Sequence, residues 1–301
     1  MEVRKCKFNY AYIIWSMITI IIAILILSKV MSLPIMKATL LIFMLFGIIF
    51  LLNYGLVGDW RNRIRLGLRR PATLEERKYL EQINDEVFQR VRSQYLHLKK
   101  ADLFLINEEY VNAYALGFRT IGLTIGAVRN LSNEEIKAVI AHEYAHLANK
   151  DTLQLILFNT SFTILSIVLW PIYIIAIGLG IIFAFLEGMV GQSKGSISVS
   201  LMNAFITILN WTHQSYCRIG IYFVNFGSRD FEYRADEVAA KAGYGKGLLS
   251  FFYKLEKTDN DIRKGFLTLL ASTHPYTSYR IENIEKFLDV TEINHRTIHP
   301  S

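Results

Sequence analysis

Two histidines and a glutamate within residues 142–146 could together bind a metal ion and use it for catalysis. The run has the form H-E-x-x-H, so in a helix His142 and His146 lie about one turn apart on one face and both imidazoles can reach a single ion. Glu143 lies one position along, where its carboxylate can hold a water molecule beside the metal without binding the metal itself. This spacing is typical of a zinc hydrolase.

A capping box predicts where the metal-binding helix begins. Ser132 is followed three residues later by Glu135, so each side chain can bond to the backbone N–H group of the other residue. We therefore expect a helix that starts at Asn133, passes through the motif and reaches Asp151.

A catalytic zinc site binds three protein side chains and keeps one position open for water. The strongest candidate for the third ligand is Glu232, in the segment 231–236 that follows the last long apolar run. Asp236 lies four residues later on the same helical face, where it can accept a hydrogen bond from a ligand histidine and fix its tautomer. We therefore expect one Zn²⁺ per chain, held by His142, His146 and Glu232.

The composition is that of a membrane protein rather than an ordinary soluble enzyme. Hydrophobic residues make up 52% of the 301 residues, and the mean hydropathy is +0.28. Cys6 and Cys217 are far apart and lie beside or within apolar segments, which excludes a disulfide framework and a cysteine-based zinc site. Much of the net charge of +7 flanks apolar runs. It therefore indicates membrane topology, with a lipid bilayer and no nucleic acid as partner.

Two apolar runs near the start of the chain predict a transmembrane hairpin. They cover about 10–27 and 35–57, and each can span the hydrocarbon core of a bilayer. A cleaved signal peptide is the alternative for the first run, but its apolar core is long and no small-residue cleavage site follows it. Basic residues cluster before the first run and at 61–70 after the second. The positive-inside rule then places both ends of the hairpin in the cytoplasm.

A second hairpin is expected from the runs 153–185 and 199–226. The later run is interrupted by five polar residues: Asn203, Asn210, His213, Gln214 and Arg218. Because polar groups in hydrocarbon are costly, we expect these side chains to face other helices or a wet cavity. The alternative is an amphipathic helix that lies at the membrane interface.

The remaining segments are polar and predict one catalytic domain built from two pieces of chain. Thr73 with Glu76 predicts a second helix start. The helix that follows has one buried stripe, formed by Leu80, Ile83, Val87 and Val91. The runs 102–106 and 120–128 predict short strands.

The expected fold is a mainly α membrane protein. About four transmembrane helices carry a cytoplasmic zincin-like α+β domain with a small β-sheet. The expected division is an N-terminal hairpin at 1–58, the first catalytic piece at 59–153, a second hairpin at 154–227 and the second catalytic piece at 228–301.

Several motifs together resemble the HtpX-type membrane zinc metalloproteases, whose more distant relatives are the CAAX prenyl proteases. The resemblance rests on 112–117, 142–151 and 228–236, together with Thr273-His274-Pro275 and Arg280-Ile281-Glu282. The leading hairpin, and a second hairpin between the ligand motifs, are similar too. The resemblance therefore covers nearly the whole chain.

The resemblance implies roles for individual residues. It implies that His142, His146 and Glu232 are the zinc ligands and that Glu143 is the catalytic carboxylate. Asp236 corresponds to an aspartate that contacts a ligand rather than the metal. It also implies that His274 and Arg280 border the scissile carbonyl, where we expect them to donate to the developing oxyanion. Asn112 corresponds to the strand that lines the substrate cleft.

The expected function is an integral-membrane zinc endopeptidase that cuts membrane or membrane-associated proteins at the cytoplasmic face. The resemblance implies a role in membrane protein quality control, in the cytoplasmic (inner) membrane, with both termini in the cytoplasm. The alternatives are a CAAX-type prenyl protein protease and a non-catalytic membrane scaffold on a protease fold. The sequence does not indicate natural substrates or oligomeric state.

Overall fold

The computed structural model of the protein describes residues 9–189, 197–258 and 277–298, which are mostly helical. The first helices are α1 (Tyr10–Val30), α2 (Ile35–Asn53), α3 (Gly55–Arg65) and α4 (Leu74–Arg92). After the strands come α5 (Ile125–Asn130), α6 (Asn133–Ala148), α7 (Asp151–Met189) and α8 (Ile197–Ala239). A π-helical turn, Ala240–Tyr244, leads to α9 (Gly245–Thr258), and α10 spans Thr277–Ile298. The expected mainly α fold with a small sheet is confirmed.

The sheet has three strands in the order β1-β3-β2, where β1 is Asp102–Ile106, β2 is Ala113–Leu116 and β3 is Thr120–Thr124. β1 runs parallel to β3, and β2 runs antiparallel to it. The predicted strand 120–128 is too long, because the Thr124 side chain accepts a hydrogen bond from the Ala127 N–H group and caps α5. Residues 113–116, for which no strand was expected, form β2 at one edge of the sheet.

Three of the described helices are long and apolar enough to cross a membrane by length and composition: α1, α2 and α7. α8 is long but is not among them, because polar residues interrupt its apolar run. His213 is half-buried in α8, whereas Asn203, Asn210, Gln214 and Arg218 are exposed rather than packed against other helices. The fourth span stays a prediction.

The chain forms two compact units. The apolar unit comprises 10–50 and 157–224, and its helices pack around small and branched side chains such as Ala23, Ile42 and Ile164. Within it, the Thr19 hydroxyl lies 2.6 Å from the Tyr216 hydroxyl. The metal-site unit comprises 51–156 and the described residues from 225 onward, with Asn9. The expected four-part division of the chain stays a prediction.

In the metal-site unit, α6 is surrounded by α4, α9 and the sheet. The predicted stripe of α4 is buried at every position: Leu80, Ile83, Val87 and Val91. Tyr144, fully buried on α6, donates to the Asn84 side chain of α4 at 2.6 Å and accepts from the Ala101 N–H group at 3.1 Å. These bonds fix the rotation of α6, and therefore the direction in which its histidines point.

Both predicted helix starts are present, one in full and one in part. At α6, Ser132 and Glu135 make both bonds of the capping box. At α4, Thr73 accepts from the Glu76 N–H group, but the Glu76 carboxylate accepts from Ala72 instead of Thr73. The α6 cap is therefore the stronger of the two.

Asp59 of α3 holds the turn between β2 and β3. Its side chain is buried and accepts hydrogen bonds from the backbone N–H groups of Phe118 at 2.6 Å and Arg119 at 3.1 Å. Gly117 precedes them with a φ of +58°, and a Cβ atom there would lie 1.9 Å from an Asp59 oxygen. This close approach requires glycine, and it fixes the end of β2.

Candidate metal centre

The side chains of His142, His146 and Glu232 converge on one point. The two histidine Nε2 atoms are 3.1 Å apart. Glu232 places one oxygen 3.3 Å from Nε2 of His142 and the other 3.5 Å from Nε2 of His146. Zinc binds histidine nitrogens and carboxylate oxygens at roughly 2.0–2.2 Å in tetrahedral geometry, which separates donor atoms by about 3.3 Å. The three donors therefore fit a zinc ion.

Two helices bring these ligands together. α6 supplies both histidines from one face, and α8 supplies Glu232, which is 5% exposed. Glu143 follows His142 on α6 and is also buried, close enough to Arg280 to interact electrostatically. A buried cluster of polar groups is costly unless its members bind each other or a metal, so this packing indicates a binding site.

His142 is held by Asp236, whose Oδ1 lies 2.8 Å from Nδ1 of the imidazole. Burial disfavours the charged imidazolium, but hydrogen bonds to Asp236 and Glu232 outweigh it and raise the pKa of His142 to about 10. The surroundings therefore favour positive charge at this point, as a cation-binding site requires.

A second carboxylate, whose role was not predicted from the sequence, holds His146. Asp151 Oδ2 lies 2.9 Å from Nδ1 of His146, and Asp151 Oδ1 accepts from the Arg234 guanidinium at 2.8 Å. Burial lowers the pKa of His146, but the hydrogen bond to Asp151 and the charge of Glu232 outweigh it, so the pKa is raised. The available signal was a carboxylate five residues after the second histidine. The expectation that the metal-binding helix reaches Asp151 was wrong, because α6 ends at Ala148 and Asp151 begins α7.

Arg280 reaches the centre from α10 and is 7% exposed. Its Nε and Nη2 atoms donate to the two oxygens of Asp236 at 2.7 and 2.6 Å, and its Nη1 lies 3.1 Å from Glu232. Burial lowers the pKa of the guanidinium, but Asp236 and Glu232 outweigh it, so the pKa of Arg280 is raised. Arg280 therefore binds two carboxylates of the centre, Asp236 and Glu232, and balances their negative charge.

The charges of the described residues around the centre suit a divalent cation. Four carboxylates and two guanidinium groups contribute, namely Glu143, Asp151, Glu232, Asp236, Arg234 and Arg280. Their formal sum is −2 when all are ionised, which a Zn²⁺ ion would neutralise.

The other expected site residues lie elsewhere or outside the described residues. Asn112 precedes β2 and is half-buried, with its side chain bonded to the Tyr114 hydroxyl at 2.9 Å and to the Ala113 N–H group at 2.8 Å. Those contacts keep it in the sheet region and do not include a metal ligand. His274 lies outside the described residues.

Comparison with known proteins identifies the family. The sequence pattern of Peptidase family M48 matches residues 75–288. A Protease HtpX homolog of Methanocaldococcus jannaschii is 28% identical over 211 residues, covering 62% of this chain and 69% of the relative. A Protease HtpX homolog of Aquifex aeolicus is 26% identical over 241 residues, covering 71% and 73%.

Among solved structures, the crystal structure of S. mikatae Ste24p matches with a TM-score of 0.49 and 18% identity. The match covers 88% of this chain and 62% of that chain.

Because the family match spans more than half of the 301 residues and includes every residue of the metal centre described above, the chain belongs to peptidase family M48 and is a membrane metalloprotease.

Proposed function

We propose that the protein is an integral-membrane zinc endopeptidase, which hydrolyses peptide bonds of membrane or membrane-associated proteins at the cytoplasmic face. The observation that carries the proposal is the metal centre itself. The two imidazole Nε2 atoms lie 3.1 Å apart, each of them lies 3.3–3.5 Å from one oxygen of Glu232, and Glu143 is buried next to His142 on the same helix. This is the constellation that metal-assisted peptide hydrolysis needs.

Each residue of the centre has a proposed part in the reaction. Zinc held by His142, His146 and Glu232 would polarise the peptide carbonyl and make water more acidic. Glu143 accepts the proton of the attacking water and returns it to the leaving amine. Asp236 keeps His142 in the tautomer that offers Nε2 to the metal.

The donors to the oxyanion are a separate proposal, based on the family resemblance. His274 and Arg280 are the candidates. Arg280 forms an ion pair with Glu232 and hydrogen bonds to Asp236, which supports a position near the reacting carbonyl.

The substrates and location are proposed from the chain's apolar helices and its relatives. Three of the described helices suit a bilayer by length and composition, and the relatives are named Protease HtpX homolog. Basic residues flanking the first hairpin support a cytoplasmic catalytic domain. We propose that damaged or misassembled proteins of the cytoplasmic (inner) membrane are the substrates, in keeping with a quality-control role.

The other two candidate functions have less support. A CAAX-type protease that acts on prenylated tails needs a large intramembrane chamber. Such a chamber requires more membrane spans than the three candidate helices and α8 of the described residues supply. A non-catalytic scaffold has no need of a buried carboxylate beside three side chains that could hold a metal ion, and the burial of Glu143 beside His142, His146 and Glu232 therefore supports an enzyme.

The test is a pair of measurements on the purified full chain in detergent. Zinc content should be one ion per chain, and the protein should cleave an unfolded model membrane protein. Glu143→Gln should keep the zinc and lower the cleavage rate by about 10²-fold or more, because the general base is lost.

Glu134→Gln is the matched control, since Glu134 lies on the same helix with an exposed side chain paired to Lys137. The control should cleave at the normal rate. A wild-type protein that binds no zinc, or a Glu143→Gln variant that cleaves normally, contradicts the proposal.

A further inference from the structure

We propose that Asp151 and Arg234 are positioning residues for His146, forming a second support that matches the Asp236–Arg280 support of His142. The proposal rests on the zinc site of the proposed function. Each histidine has its Nδ1 atom against a carboxylate, at 2.8 Å for His142 and 2.9 Å for His146. Each carboxylate in turn accepts from a buried arginine, at 2.6 and 2.8 Å.

The geometry assigns Asp151 a role that acts through the imidazole. When the Nδ1–H group donates a hydrogen bond to a carboxylate, the lone pair of Nε2 is free to bind a metal. Nε2 is the atom of His146 that lies 3.1 Å from the other histidine and 3.5 Å from Glu232. Asp151 therefore sets the tautomer and the ring direction of His146 without binding the metal itself.

Arg234 is needed because Asp151 is buried. Asp151 is 8% exposed and Arg234 is 6% exposed, and a buried carboxylate without a partner is strongly destabilised. The guanidinium balances the negative charge of the carboxylate and fixes its direction, while packing 5.0 Å from the Phe231 ring. Without Arg234, Asp151 would be a poorer hydrogen-bond acceptor for His146.

One stretch of α8 thereby organises the whole centre. Glu232 is the ligand, Arg234 supports Asp151, and Asp236 supports His142. Asp151 is the first residue of α7, where the unpaired N–H groups of a helix N-terminus favour a carboxylate. The two histidines are therefore supported from two helices: Asp236 of α8 contacts His142, and Asp151 at the start of α7 contacts His146.

The experiment measures metal affinity rather than proteolysis. Full-length wild type, Asp151→Asn, Arg234→Met and Arg234→Lys are purified without metal, and their affinity for Zn²⁺ alone is measured by competition with a chelator. We expect Asp151→Asn and Arg234→Met to bind about 10- to 100-fold more weakly, the usual effect of losing a partner of a metal-binding histidine. Arg234→Lys keeps the charge and should lose less.

A spectroscopic measurement separates positioning from general destabilisation. With Co²⁺ in place of zinc, the visible absorption bands report ligand geometry, and Asp151→Asn should change them. Lys254→Met is the matched control, because it removes the partner of a buried carboxylate, Glu135, that contacts no metal ligand among the described residues. It should keep the wild-type affinity and cobalt spectrum even where its stability falls.

The outcomes separate this proposal from the zinc site on which it rests. Asp151→Asn with wild-type zinc affinity and an unchanged cobalt spectrum overturns the positioning role. If Asp151→Asn does not fold, equal affinities of Arg234→Lys and Arg234→Met for zinc overturn the role of the charge. A wild-type chain that binds no zinc, or a His146→Ala variant that binds it equally well, overturns the proposed function instead.

Discussion

Replacing Arg280 by methionine tests whether this residue holds the metal centre together or only contacts the substrate. The guanidinium bonds both oxygens of Asp236 and lies 3.1 Å from Glu232. Methionine fills a similar volume but removes the charge and every donor. Both carboxylates would then lose a partner at sites that are 2% and 5% exposed.

The expected loss follows from these contacts. Removing one partner of a buried ion pair typically costs about 3–5 kcal/mol, because the remaining charge stays buried without compensation. His142 still bonds Asp236 at 2.8 Å, so the lower end, about 3 kcal/mol, is expected. Zinc affinity should fall as well, since Asp236 loses two hydrogen bonds and Glu232 loses an ion pair that fix their directions.

The assay compares unfolding free energy and zinc affinity in the same detergent. Arg129→Met is the matched control, because Arg129 pairs with Glu109 at an exposed site where both side chains are more than half exposed. Such pairs contribute about 0–1 kcal/mol. If Arg280→Met keeps its stability and zinc affinity while only its turnover falls, the reasoning from burial is wrong. Arg280 would then act on the substrate alone.

Three further predictions address other parts of the molecule. Burial disfavours the Glu135 carboxylate, but hydrogen bonds from Lys254 and Ser250 outweigh it and lower its pKa from 4.5 to about 2. Glu135→Gln should therefore cost about 3 kcal/mol in unfolding free energy above pH 4.5, and less than half of that at pH 3, because the stabilisation disappears as the pH falls through the folded pKa. Asp59→Ala should lower the unfolding free energy, measured by thermal unfolding, by about 2 kcal/mol or more, because two backbone N–H groups lose their acceptor. Asp59→Asn keeps an acceptor oxygen and should cost less. Equal losses of stability in the two variants would contradict this account. In a chain whose own cysteines are replaced by serine, Leu96→Cys, at a position 85% exposed, should react with an impermeant thiol reagent only from the cytoplasmic side, and labelling from the other side would contradict the proposed topology.

The parts of the metal centre that could be predicted from the sequence are those set by helix periodicity. His142 and His146 are four residues apart, and so are Glu232 and Asp236, so each pair shares a helical face whatever the surrounding fold. The α6 cap and the buried stripe of α4 follow from equally local rules and are present in the structure.

Local rules were less reliable where neighbouring elements compete. The run 120–128 is apolar enough to continue as a strand, but the Thr124 side chain caps a short helix and ends the strand at that residue. In the same way, 113–116 has no strong strand signal and becomes a strand because its backbone pairs with β3. Pairing across the chain outweighs intrinsic preference in such short segments.

Only the tertiary structure shows how the centre is supported. The bond between Arg234 and Asp151 joins residues 83 positions apart, and that between Arg280 and Asp236 joins residues 44 apart. No periodicity relates such positions, so their pairing depends on how α7, α8 and α10 pack. The spacing of residues within each helix specifies which side chains can bind the metal, because one turn sets their direction. The packing of separate helices decides which buried charges hold those side chains in place, because a buried charge must find its partner wherever the fold brings one.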